Sequence, residues 1–404
     1  MGIFSRMFGN QDNKTATQVV DANFITTLAM HVRGEVEPAL ASYQAMTERD
    51  ANDFLALFFT AAAKADSGAV EEAVQGLRAL SAHIAETGES ISRIVAMELA
   101  NLLHEDVVTV RVGDVTALLV SFGDLLKREG FVKESAVCFE IAVGLAPDNA
   151  HMLHKLGDTL HDLRIYDYAE SVLKEAIKHA PHHFGALYTY AVLLQDLGRN
   201  EEALTLYEQA VKLVPSHVNC QSNYGAALLR ADRVDEAMEH LNHALRLDPG
   251  APLVKVNLGY VYLLKDDLET ARKMFSEALA LNDKLAPAYY GLASIERALG
   301  SDAPVVRALY EKALEANPSI AEAHLALANL LASLGDEQAV THYATALQLN
   351  SSLPNLRRDF GQACLQLGHR EEALELLKMA VMLDPDDALA RELLAQAEAT
   401  PAEN

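Results

Sequence analysis

The residues best placed to do chemistry are His151, His154, Asp158 and His161, spaced by three, four and three positions along AHMLHKLGDTLHD. Imidazole and carboxylate are donors a transition metal uses, and imidazole also titrates near neutrality. On a helix, His154 and His161 stand about 10 Å apart at about 1.5 Å rise per residue, too far for one ion with bonds of about 2 Å. Only His151 with His154, His154 with Asp158, or Asp158 with His161 can share an ion, and each pair needs ligands from another unit of the chain. The expectation is therefore no metal and no cofactor here, but a polar, pH-sensitive peptide contact. His179, His182 and His183 follow at a junction and read as a solvated loop. No nucleophile with a positioned base, glycine-rich phosphate loop or HExxH motif occurs, so the chain is expected not to be an enzyme.

Composition narrows the partners. The 404 residues carry 57 acidic against 33 basic side chains, a net charge of -24, which opposes binding to nucleic-acid phosphates. Neutral or basic protein segments are the expected partners. Cys138, Cys220 and Cys364 are odd in number and form no CxxC, the pattern of buried thiols in a reducing compartment. The densest apolar run, FLALFFTAAA from Phe54, is about half the roughly 20 residues that span a bilayer. With no secretory h-region near the start, the expected location is cytoplasmic.

The histidines sit in a repeating element whose clearest copy is residues 184–217. Ala186, Leu187, Tyr190, Ala191, Leu194 and Leu197 fall at helical spacing, so one wide face must be buried. Gly198 stops that helix in a left-handed conformation, and Asn200 offers a side-chain oxygen to cap the next. Glu201 and Glu202 suit the second helix's first turn. Ala203, Leu206, Tyr207, Ala210 and Leu213 form its apolar side, and Pro215 ends it. Each unit is thus a helical hairpin. The same register starts units at Thr116, Ala150, Phe184, Val218, Pro252, Ala286, Ala321 and Pro354, the first six 34 residues apart. The eighth position is always small, reading Gly123, Gly157, Ala191, Gly225, Gly259, Ala293, Ala328 and Gly361. The unit from Ala286 is one residue long around Asp302, Ala303 and Pro304, and the next is one short before Ala346.

This period and pattern resemble the tetratricopeptide repeat over residues 116–387. The resemblance implies an all-α, right-handed superhelical solenoid, divided into a tail at 1–17, degenerate repeats and a linker at 18–115, eight units at 116–387, and a capping helix and tail at 388–404. In that family the first helix of each unit lines a concave groove and meets the ligand at set positions. Carried onto this chain, those positions give His154, Asp158, His161, Tyr188, Val192, Asn223, Val256, Asn257, Tyr260 and Tyr290 as a groove for a protein segment. Tyrosine supplies apolar contact with a polar tip, and asparagine can pair with a peptide backbone. No unit pairs Lys with Asn as the carboxylate clamp of chaperone partners does. Only Asn223 and Asn257 match the asparagine ladder of O-linked N-acetylglucosamine transferases, and no transferase domain follows.

Outside the clear units, Gly34, Ala39 and Tyr43, then Gly68, Ala73 and Leu77, repeat the arrangement of Gly198, Ala203 and Tyr207 in weaker form. They give two degenerate hairpins, from Val20 and Phe54. A helix over about Ile91 to His104 has no recognisable partner, and EDVVTVRVGD, 105–114, reads as a linker or a distorted helix. If helical, residues 1–9 place Ile3, Phe4, Met7 and Phe8 on one face, as a small interfacial anchor does. Three readings follow. The first is a non-catalytic adaptor or scaffold binding a protein segment; the second is an assembly factor held peripherally at a membrane by residues 1–9. The third, from another class, places metal binding or catalysis on the His151–His161 helix. The open ends of such a stack also leave self-association available.

Overall fold

Every regular element among the described residues of the computed structural model, 22–85, 90–103 and 111–399, is a helix. The contacts divide the chain into two units, 1–215 and 216–404. In the first, α1 (Ala22–Val32) pairs with α2 (Val36–Arg49), and α3 (Phe54–Asp66) with α4 (Val70–Ala85). After α5 (Ile91–Leu103) come the hairpins α6 (Val112–Arg128) with α7 (Val132–Leu145), α8 (Ala150–Asp162) with α9 (Tyr166–His179), and α10 (Phe184–Asp196) with α11 (Asn200–Leu213). In the second unit the hairpins are α12 (Val218–Arg230) with α13 (Val234–Leu247), α14 (Pro252–Leu264) with α15 (Leu268–Leu281), and α16 (Ala286–Ala298) with α17 (Ala303–Ala316). They continue as α18 (Ala321–Ser333) with α19 (Gln338–Leu349) and α20 (Leu356–Leu367) with α21 (Arg370–Leu383), closed by α22 (Ala388–Ala399).

One fit recurs inside the hairpins. A Cβ placed on Gly157 would lie 2.6 Å from Leu173 Cγ, and one on Gly259 would lie 2.6 Å from Phe275 Cε1. No side chain fits there, so glycine lets the two helices close until the partner's ring or branch touches backbone. Hairpins with alanine at this position (Ala191, Ala293, Ala328) instead carry Tyr207, Tyr310 and Tyr343 at the register where the others place Phe139, Leu173, Leu241, Phe275 and Leu377. All eight of these large side chains are buried. Tyr207 Oη donates to Gln195 Oε1 at 3.4 Å and Tyr343 Oη to Asn329 Oδ1 at 2.5 Å, which partly offsets desolvation of the hydroxyls.

Several expectations change on contact with the structure. The helix expected from Thr116 begins a turn earlier, at Val112, so the end of the EDVVTVRVGD stretch is helical; residues 104–110 lie outside the described residues. Pro354 does not open a helix: α20 starts at Leu356, after Asn355 turns left-handed at φ 61°. Asn200 is the first helical residue rather than the cap, a position held by Arg199 without a side-chain cap bond. The Arg199 guanidinium instead pairs with Glu202 and Glu170, at 2.7 Å each. α5 does find partners, packing on α3, α4 and α7. At the far end, α22 buries Ala390, Leu393 and Ala397, and Arg370 Nε donates to Ala397 O at 2.8 Å. The cysteines are unbonded and buried, and burial pushes the Cys220 and Cys364 thiols up to about 12. No described helix is long and apolar enough to cross a membrane.

The inter-helix turns are left-handed even where glycine is missing. Gly198 has φ 75°, and Arg164, Asp232 and Asp266 occupy the same register at 59°, 59° and 60°. Gly198→Ala should therefore destabilise the protein by about 1 kcal/mol, whereas Arg164→Gly should stabilise it slightly, both read as urea midpoints. Glu170 gives a second test. Burial opposes its charge, but Lys174, Arg199 and Tyr190 donate to it and hold its carboxyl at about 2. Its stabilising contribution is thus complete above the unfolded carboxylate range of about 4.3 and is lost as pH falls from there towards 2. Glu170→Gln should lower the thermal midpoint at pH 7, and the difference from wild type should disappear near pH 2.

Candidate functional site

In each unit the first helices of successive hairpins lie against one another: α8 on α10, and α12 on α14 on α16. That adjacency decides what each expected site residue touches. In the first unit, Asp158 of α8 accepts from Lys127 Nζ of α6 at 2.5 Å, and the same ammonium reaches Asp162 at 2.8 Å. Lys155 Nζ returns the contact to Asp124 at 2.8 Å. His161 Nε2 lies 2.9 Å from Asp196 Oδ2 of α10. Partly exposed pairs of this kind contribute about 0–1 kcal/mol each, so they fix the register of neighbouring helices more than they stabilise them. Asp158 and His161, expected as ligand contacts, are placed in these cross-helix pairs. Tyr188 is half-buried, stacked on Phe184 with ring centroids 5.9 Å apart and tilted against Tyr207; Val192, one turn on, is also half-buried.

In the second unit, Asn223 on α12 is half-buried, and Asn257 Nδ2 of α14 donates to Ser222 Oγ at 3.3 Å. Val256 corrects the expected set: it is 3% exposed, packed in the core with Phe275 and Leu285. An aliphatic side chain gains more by that burial than at a wet surface. Tyr260 lies edge-on to Phe275, centroids 5.2 Å apart, and its Oη donates to Pro287 O at 2.8 Å. Tyr290 of α16 leans on Tyr310 at 5.9 Å. Burial pushes both phenols up, Tyr290 adds to the effect on Tyr260, and the exposed carboxylate of Glu322 on α18 acts on both.

Three features lie outside the expected set of site residues. The Glu322 carboxylate, on the neighbouring hairpin, acts electrostatically on both tyrosines. A cleft of about 550 Å³ opens among α15, α16 and α17, lined by Arg272, Leu292, Glu296, Pro304, Val305 and Lys312. Its rim includes Pro304 of the one-residue insertion, the signal that could have marked it. His183, expected in a solvated loop, is half-buried at the start of α10, where its Nδ1 accepts from Ala186 N at 3.1 Å. There it meets His151 and His154. The expected anchor residues Ile3, Phe4, Met7 and Phe8 lie outside the described residues.

Two family models match parts of the chain. Residues 188–252 and 307–354 match one tetratricopeptide repeat family model, and residues 228–295 and 337–397 match a second. Among solved structures, a tetratricopeptide repeat protein from Parabacteroides merdae ATCC 43184 aligns at 19% identity over 62% of this chain and 98% of its own, with a TM-score of 0.46. TTC0263, a thermophilic TPR protein in Thermus thermophilus, aligns at 25% identity over 45% of this chain and 98% of its own, TM-score 0.39. YrrB, described as a TPR protein with an unusual peptide-binding site, aligns at 22% identity over 46% and 96%, TM-score 0.36. No curated protein matches. Stacked helical hairpins with a small residue at the eighth position, together with the two family-model matches, make this chain a member of the tetratricopeptide repeat family, an all-α scaffold for protein–protein interaction.

Proposed function

We propose that this scaffold is a non-catalytic adaptor that binds a basic protein segment on the first-helix face of its second unit. One observation carries the reading: Tyr260 and Tyr290, on consecutive first helices, are both half-buried and both feel the exposed Glu322 carboxylate. Half-buried phenols present ring face and edge without the entropy loss of long side chains, and a lysine or arginine above such a ring gains about 0.5–1 kcal/mol at an exposed site. A carboxylate whose field reaches both rings adds a charge partner of the right sign. Asn257, already oriented by Ser222, has donor and acceptor capacity left over for a peptide backbone. The net charge of -24 steers basic partners towards the whole molecule. In the first unit Tyr188, Val192 and His154 offer a separate face of similar chemistry, for which Asn223 and Asn257 have no counterpart at the sixth position.

The test is a fluorescence titration of the full chain with a library of extended peptides that varies the number of lysines and arginines. Basic peptides should bind, with affinity falling as salt rises. Tyr260→Ala, Tyr290→Ala and Glu322→Gln should each weaken binding about fivefold, with circular dichroism unchanged. Acidic peptides bound equally well, or basic peptides bound equally by all three variants, would overturn the reading.

A further inference from the structure

We infer that His151, His154 and His183 form a three-histidine site for a borderline divalent transition metal such as Zn²⁺ or Co²⁺. Along α8 alone, two imidazoles are too few for a site. The fold supplies the third, because α10 lies beside α8 and brings its capping residue level with the start of the neighbouring helix. One nitrogen from each of the three rings lies within 4.8 Å of the other two. The ring centroids are 5.2 Å (His154 to His183), 5.9 Å (His151 to His183) and 6.4 Å (His151 to His154) apart. Metal–nitrogen bonds of about 2.0–2.1 Å in a tetrahedral arrangement need the nitrogens about 3.3 Å apart. The exposed His151 and half-buried His183 can close that gap by side-chain rotation.

Two further observations show that His154 is held ready. Its Nε2 lies 3.2 Å from Thr189 Oγ1, and that hydroxyl donates to Asp158 Oδ1 at 3.4 Å. With the hydroxyl proton committed to the carboxylate, Thr189 can only accept from His154, so the ring proton sits on Nε2 and Nδ1 carries a bare lone pair. That Nδ1 is buried and has no hydrogen-bond partner among the described residues. A far ring N–H donated to an oxygen acceptor is the arrangement that orients metal-binding histidines, and here that acceptor is a hydroxyl held in turn by the Asp158 carboxylate. The ring also rests on a glycine made to receive it. A Cβ on Gly185 would lie 2.5 Å from His154 Cε1 and 2.9 Å from Nδ1. Burial first, then the neighbouring His183 and His151, push the His154 imidazole down to about 4, and burial lowers His183 as well.

The ligand set is nitrogen alone, which selects zinc, cobalt, nickel or copper over magnesium and calcium. Three protein ligands leave a fourth position for water or an incoming side chain. Coordination has one local consequence. His183 Nδ1 now accepts the Ala186 N–H; with a metal on Nδ1, or on Nε2 with the ring proton moved to Nδ1, that bond is released. Either way the neutral ring keeps its single proton, and no net proton leaves.

The experiment is a titration of tag-free, chelator-treated full chain with Co²⁺, followed by visible absorption and then displacement by Zn²⁺. The expected result is one ion per chain with the intense band of tetrahedral cobalt, and a shift of the Ala186 amide resonance. His151→Gln, at an exposed position that cannot disturb the fold, and His183→Gln should each weaken binding about tenfold or more. Gly185→Ala should weaken it too by displacing the His154 ring, with helicity checked by circular dichroism. His182→Gln should bind as wild type does. No saturable binding, or binding that His151→Gln and His183→Gln leave unchanged, would overturn the site.

Discussion

The structure depends on how closely the two helices of each hairpin approach. Where the first helix offers glycine, as at Gly123, Gly157, Gly225, Gly259 and Gly361, a phenylalanine or leucine of the second helix lies where a Cβ would be. Where it offers alanine, a tyrosine stands at the same register, as with Tyr207, Tyr310 and Tyr343. Close-packed interiors tolerate little change in such a fit, so the pairing of small with large sets the separation on which every later contact rests.

Stacking turns a sequence period into a ladder of cross-helix contacts. First helices lie side by side, so a residue meets others 31 or 35 positions away, three short of one repeat or one beyond it. Lys127 with Asp158, Lys155 with Asp124 and Thr189 with Asp158 are 31 apart; His154 with Thr189, His161 with Asp196, His31 with Asp66 and Asn257 with Ser222 are 35 apart. Polar side chains on these helices are therefore divided between two tasks. Some join neighbouring hairpins; others, such as Tyr260, Tyr290 and Glu322, keep surface for a partner. A face built this way is polar but ordered, because its side chains are already held by their neighbours.

The histidine cluster arises from the same geometry. His183 precedes the first helix of its hairpin, and its side chain caps that helix; only the lateral contact of α10 with α8 brings it to His151 and His154. Gly185 is the second residue of α10 and makes no turn, so neither helix propensity nor backbone conformation calls for glycine there. Its place is explained by the imidazole that lies where its side chain would be.

The sequence by itself determined the all-α class, the hairpin boundaries from Ala150 to Ala321, the small eighth position and the turn at Gly198, because these follow from helical periodicity and local backbone preference. It also placed Tyr188, Tyr260 and Tyr290 on the first helices of their hairpins. The tertiary structure decided that Val256 belongs to the core, that Asp158 and His161 pair across helices, that Arg199 displaces Asn200 from the cap, that α20 begins after Asn355, and that α5 packs on α3, α4 and α7. It alone gathered three histidines around one point. The physical reason is common to all of these: periodicity says which face of a helix is apolar, whereas the partner of each polar group depends on which helix lies beside it and at what offset.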